Sequence, residues 1–232
     1  MMAPFWVKSF PNGDRVYHHD HSGSNHQSHS MPKLKPSSVS RICRKGAGTV
    51  TPVDSIDLSR LLLPIRPMDH VRGPEDAPYT LVEYGDYECP DCGHLYVILR
   101  DLQKDIASRL RIVFRHYPLS GIHRHAQEAA EAAEAAGAQG KFWEMHNLLF
   151  ERQQALQTKL LIRYAEELNL DVERFRDELK AGRYSQRVRA DFLAGVQNGV
   201  YGTPGLFLNG VRYDGDWGKE SLRSLLVSRD DS

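Results

Sequence analysis

Tyr84-Gly-Asp-Tyr-Glu-Cys89-Pro-Asp-Cys92-Gly-His-Leu95 is the stretch whose reading decides the fold. A β-favouring run, Tyr79 to Tyr84, ends in a glycine, and an amphipathic pattern with Leu95, Leu99 and Leu102 follows the cysteines. This order predicts strand, tight turn, Cys-x-x-Cys and helix, with Cys89 at the helix N-terminus. Unpaired N–H groups and the positive end of the helix dipole favour a thiolate there. Such a thiolate is the nucleophile of thiol–disulfide exchange, and Cys92, one turn on, is placed to resolve the mixed disulfide. The spacing alone is shared with zinc sites; the flanking strand and helix favour redox chemistry.

Outward from this centre the texture is uneven. Residues 1–67 hold nine Lys/Arg against four Asp/Glu, and the remainder twenty-one against twenty-six, so the zero net charge hides a basic extension on an acidic domain. Residues 1–68 are read as a disordered, His-rich tail: His18, His19, His21, His26 and His29 sit among Ser, Gly, Asn and Asp. Asp57 to Ile65 is expected to pack as a single turn against the domain. Cys43 is read as an incidental thiol. Three cysteines argue against a disulfide-stapled scaffold. No apolar run reaches the ~20 residues of a membrane span, and Met1 to Phe10 has no signal-peptide core. The expectation is a cytoplasmic protein, with Met31 and Met68 as alternative starts.

Within the domain, 69–232, Gly73 to Pro78 is a loop and Thr80 to Tyr84 the first strand. The helix after Cys92 runs to about Ala107, and Arg111 to Tyr117 is a second strand, parallel to the first through a right-handed crossover. A helical block of about 120–200 follows. Its expected helices cover His123 to Ala138, the Phe142 to Phe150 region, one capped by Thr158, one capped by Asp171, and Ser185 to Gly199 with Val188, Phe192 and Val196 on one face. A hairpin at Asn209-Gly210 and a helix from Lys219 to Val227 close the fold.

This order resembles the thioredoxin fold in its DsbA-like form, an α/β fold with an inserted α-helical subdomain, over about 69–227. The active-site stretch, Phe114-Arg-His-Tyr-Pro-Leu119, Gly137 to His146, and Gly202-Thr203-Pro204 before Asn209-Gly210 carry the resemblance, which is closest to soluble bacterial DsbA-like proteins and antiporter-attached thioredoxin modules. It implies thiol–disulfide exchange through Cys89 and Cys92 with no cofactor beyond that redox-active pair and no metal. It implies a cis bond at Thr203-Pro204 that offers backbone to an extended substrate, and a buried Glu83 that serves Cys92 as base. Arg115 is the charge partner considered for Glu83; a solvated strand position is the alternative. The partners implied are disulfide- or thiol-bearing proteins, with glutathione or a thioredoxin-like protein exchanging electrons, and neither nucleic acid nor membrane. Any dimer would use the hairpin edge or the tail.

Pro90 and Asp91 tune the pair. Strong DsbA oxidants carry His where Asp91 stands; a carboxylate disfavours the thiolate, so a weaker oxidant, a reductase or an isomerase, is expected. His94 is read as a helix-surface residue. A Cys/His zinc site drawing on His116, His123 and His125 is disfavoured by the absence of a second cysteine pair. Two other function classes stay open: a glutathione-dependent isomerase or transferase relative, against which the paired cysteines count, and a non-enzymatic binding or chaperone module.

Overall fold

The strand entering the active-site turn, Tyr79–Gly85, lies near the middle of a mixed five-stranded sheet. The computed structural model describes residues 59–61 and 63–227, so Cys43 and the His-rich tract lie outside the described residues. The strands are β1 (His70–Arg72), β2 (Tyr79–Gly85), β3 (Leu110–His116), β4 (Gly205–Leu208) and β5 (Val211–Arg212), in the order β1-β3-β2-β4-β5. β2 and β3 are parallel, as a connection through a helix requires; the other pairs are antiparallel. Asn209 and Gly210 both adopt positive φ, 48° and 76°, which matches the tight turn that an Asn-Gly pair favours.

Seven helices are described: α1 (Pro90–Asp105), α2 (Ala126–Gly137), α3 (Phe142–Glu151), α4 (Thr158–Glu167), α5 (Val172–Lys180), α6 (Ser185–Gln197) and α7 (Lys219–Val227). α1 begins with Pro90, whose fixed φ suits the first helical position. It buries Leu95, Leu99 and Leu102 with α7 Leu222 and Leu226 against Leu81, Ile112 and Leu206 of the sheet. α6 covers the opposite face, where Ala194 joins Val82, Tyr84, Val113 and Phe207. The sheet is therefore covered on both sides, and period-two alternation sends Glu83 and Tyr84 into different cores. α2 to α5 form the helical subdomain around the alanine-rich α2, whose small side chains allow close packing against α3 and α5.

Several local expectations are corrected. Of Asp57 to Ile65, the described residues pack against the domain as expected, but not as a single turn. Arg60 forms an antiparallel bridge with Val211, while Leu61, Leu63 and Ile65 pack on the α6-side core. Thr158 does not cap α4; Gln157 is the cap residue and the Thr158 hydroxyl donates to Glu128. Asp171 does cap α5, accepting from the Arg174 N–H at 3.0 Å. Val196 faces outward while Val188 is buried, so the four-residue spacing does not mark one core face throughout α6. β1, with three residues, is too short to show a period in the sequence.

Candidate active site

Cys89 is the N-cap residue of α1, with extended backbone (φ −75°, ψ 122°), and its carbonyl accepts the first helical bond from Gly93 at 3.1 Å. Its side chain is only 6% exposed. Across from it, Tyr84 pairs with Gly205 in the β2–β4 ladder, which sets the cis Thr203–Pro204 peptide opposite the start of the active-site turn. The Cys89 thiol donates to the Thr203 carbonyl at 3.4 Å. Two segments 114 residues apart in sequence thus meet at one sulfur.

Cys89 and Cys92 are free thiols with opposite proton affinities. The hydrogen bond from Cys92 is the strongest influence on Cys89, bringing it down to about 5; burial opposes, and the Thr203 side chain and the backbone N–H groups of Cys92 and Asp91 assist. Burial pushes the Cys92 thiol well above its ordinary value, as do its role as donor to Cys89 and the charge of Glu83, although the Asp86 N–H, 3.5 Å from its sulfur, works the other way. Asp91 is exposed in the first turn, Pro90 is exposed beside it, and His94 meets the edge of Trp217 on the helix surface.

Glu83 is 3% exposed. Burial, reinforced by the charge of Cys89, pushes it up to about 8, and its Oε1 has no hydrogen-bond partner. It lines a small cavity of about 20 Å³ with Arg72, Tyr96, Arg100, Trp143 and His146, room for one water molecule. Arg115 does not pair with it. The β2–β3 register sets Glu83 against Phe114 and Tyr84 against Arg115, so the guanidinium points into the other core. There it bonds Asp69 at 2.7 Å, the Tyr84 hydroxyl at 2.8 Å and the carbonyls of Leu63 and Pro64.

Other groups around the turn were not singled out in the sequence. Asp86 is buried and accepts from the N–H of Glu88 and of Leu119 and faces His123 Nδ1 at 2.8 Å, tying the turn to the loop after β3. The Tyr87 hydroxyl meets His146 Nδ1 at 3.1 Å, and burial keeps His146 neutral by pushing its proton affinity well down. Gln153, from the turn after α3, donates to the carbonyls of Tyr87 (3.0 Å) and Cys89 (2.8 Å).

Among the described residues, the three-residue constellation with metal-ligand geometry is His70, His116 and Glu134, whose ligand atoms lie within 4.8 Å of one another. It is not the His116, His123 and His125 grouping considered from sequence. Glu134 Oε1 contacts both imidazole Nε2 atoms, at 2.8 and 3.0 Å, and Arg187 Nε lies 3.6 Å away. Burial alone would raise the Glu134 carboxyl, but bonds from His116 and His70 hold it well below the usual range. A divalent ion would have to displace both ring protons beside a guanidinium, so the arrangement suits a hydrogen-bonded network better than a metal site.

A family model described as thioredoxin matches residues 66–227. Among curated proteins, the Na(+)/H(+) antiporter NhaA 3 of Salinispora tropica is 48% identical over 169 residues, covering 72% of this chain and 26% of that protein. The chain thus spans about a quarter of the length of the curated relatives it matches. Among solved structures, oxidised BdbD from Bacillus subtilis is 25% identical with a TM-score of 0.61, covering 68% of this chain and 90% of that one. Wolbachia pipientis alpha-DsbA1 is 20% identical with a TM-score of 0.61, over 72% and 92%. Among the described residues no helix is long and apolar enough to cross a membrane. With β2, the Cys-x-x-Cys helix, β3, a helical insert and a closing hairpin and helix in this order, the chain belongs to the thioredoxin family and has its DsbA-like fold.

Proposed function

We propose that the chain is a thiol–disulfide oxidoreductase acting through Cys89 and Cys92. The observation that carries this reading is the division of labour between two thiols in contact: one held near pH 5, one held well above 9. In the reductive direction the Cys89 thiolate attacks one sulfur of a substrate disulfide, forms a mixed disulfide and expels the other sulfur as thiolate. Glu83, whose charge acts on Cys92, takes the proton of that thiol. The Cys92 thiolate then attacks Cys89 Sγ, and the substrate leaves with both sulfurs reduced while Cys89–Cys92 becomes a disulfide. Oxidation of a dithiol is the same sequence reversed, so no cofactor beyond the cysteine pair enters.

An extended substrate segment fits against Thr203, whose backbone faces Cys89 across the cis peptide. Two residues upstream, Tyr201 lines a groove of about 700 Å³ together with Leu119, Ile122 and Phe192, a surface for apolar residues of a protein partner. Glutathione or a thioredoxin-like protein would return the pair to its starting state. A Cys89 value of about 5 falls between roughly 7 for thioredoxin and roughly 3.5 for DsbA. This supports a potential between their values of about −270 and −120 mV; the expectation of a reductase or isomerase, with a potential nearer the thioredoxin end, rests on Asp91 standing where strong oxidants carry His. Insulin reduction by wild type and Cys89→Ser, with glutathione titration of the pair, tests it. Activity lost in the variant supports the reading; equal inactivity of both proteins would leave the binding-module class.

A further inference from the structure

Gly93 and Gln153 form a contact that the exchange chemistry above does not use. The Gln153 amide nitrogen donates to the carbonyls of Tyr87 and Cys89, the peptide groups that bracket the entrance to α1. Its oxygen lies over Gly93: a Cβ there would sit 2.1 Å from Gln153 Oε1. The turn that carries Gln153 is itself fastened. Leu156 is buried, the Tyr164 hydroxyl donates to the Ala155 carbonyl at 2.8 Å, and Arg152 pairs with Glu167 while lying over the Tyr164 ring. The amide is therefore presented by a rigid element of the helical subdomain.

We propose that Gln153 is a positioning residue for Cys89, and that Gly93 is glycine so that Gln153 can reach the turn. Fixing the Tyr87 and Cys89 carbonyls fixes the 87–88 and 89–90 peptide planes on either side of Cys89. Those planes set where the Cys89 sulfur lies relative to the N–H groups of Asp91 and Cys92. Without the amide, the Cys89 carbonyl keeps only its helical bond from Gly93 N–H, and the donors that face the sulfur lose their alignment. The helical insert then controls the reactivity of Cys89 by bonding its carbonyl rather than its sulfur. The inference rests on Cys89 being the reactive thiol of the proposed function.

The test is an ultraviolet titration of the reduced full-length chain at the thiolate absorbance, with thermal unfolding of each variant alongside. Gln153→Ala is expected to move the Cys89 midpoint up by about one unit. Gly93→Ala is expected to do the same with folding intact, because the added methyl displaces the flexible end of Gln153 rather than backbone. In the double variant, Gly93→Ala is expected to add no further shift, and its helix preference should raise the melting temperature. A wild-type midpoint in Gln153→Ala overturns the proposal, and so does an undiminished Gly93→Ala shift once Gln153 is gone. No turnover enters these readouts, so an inactive wild type in the insulin assay would strike the functional reading alone.

Discussion

Glu83 and Arg115 occupy adjacent parallel strands yet point to opposite faces of the sheet, because Glu83 is registered with Phe114 and Tyr84 with Arg115. The carboxyl is left without a buried cation and the guanidinium finds Asp69 instead. Each half of this separation has a measurable consequence.

Glu83 titrates at about 8 in the fold, above its ordinary value near 4.5. Protons bind the folded state more tightly, so this group's contribution to stability is full below pH 4.5 and declines as pH rises toward 8. Glu83→Gln, neutral throughout, is expected to match wild type in denaturant midpoint near pH 4 and to exceed it by a few kcal/mol near pH 8. The same variant should slow release of a mixed disulfide by roughly 10²-fold, the low end for removal of a general base. Stopped-flow decay of a Cys89 mixed disulfide measures that step; an unchanged rate removes Glu83 from the mechanism.

For Asp69 and Arg115 the expectation concerns folding. Burial would raise the Asp69 carboxyl, but bonds from Arg115 and Arg66 lower it below its ordinary value. Its contribution is then present above about pH 4 and lost as pH falls further. Asp69→Ala leaves the buried Arg115 uncompensated and should cost about 3–5 kcal/mol in urea unfolding at pH 7. Asp69→Leu combined with Arg115→Met should cost clearly less than the single change.

Cys89 is expected to react with iodoacetamide with a half-maximal rate near pH 5, and Cys92 to stay unmodified through neutral pH. Its depressed value stabilises the reduced fold fully above about pH 9, and that advantage disappears as pH falls through about 5. Mass spectrometry of the alkylated chain assigns the site. Modification of Cys92 first would reverse the proposed roles.

Asp91→His replaces an exposed anion in the first turn of α1 by a group that can carry positive charge. Titration against glutathione should show the pair becoming more oxidising by about 30 mV, a tenfold change in equilibrium. No change would mean that solvent screens this position and that Asp91 does not set the potential.

Much of this architecture is legible in the sequence. The run ending at Gly85, the Asn209-Gly210 turn and the helix from Lys219 to Val227 follow from local patterning, and the parallel β2–β3 pair follows from the helix between them. What escapes is set by distance along the chain. Alternation shows that Glu83 and Arg115 differ in face only when the strand register is known. Gln153 stands in a polar turn more than sixty positions from Cys89, and nothing local distinguishes it from its neighbour Gln154. The constellation of His70, His116 and Glu134 joins β1, β3 and α2, of which β1 has only three residues. Thr158 has the right identity for a cap, but its hydroxyl bonds a side chain of α2 instead of its own helix.

The bridge between Arg60 and Val211 bears on how copies of this chain behave toward one another. β5 is only two residues long, and its outer side is occupied by the Ser59 carbonyl, which accepts from Arg212, and by the Leu61 N–H, which donates to Gly210. An open strand margin is a template for pairing with another molecule, and proteins commonly protect it. Here the chain supplies its own cover, so the β5 side of the hairpin does not offer a free ladder for self-association.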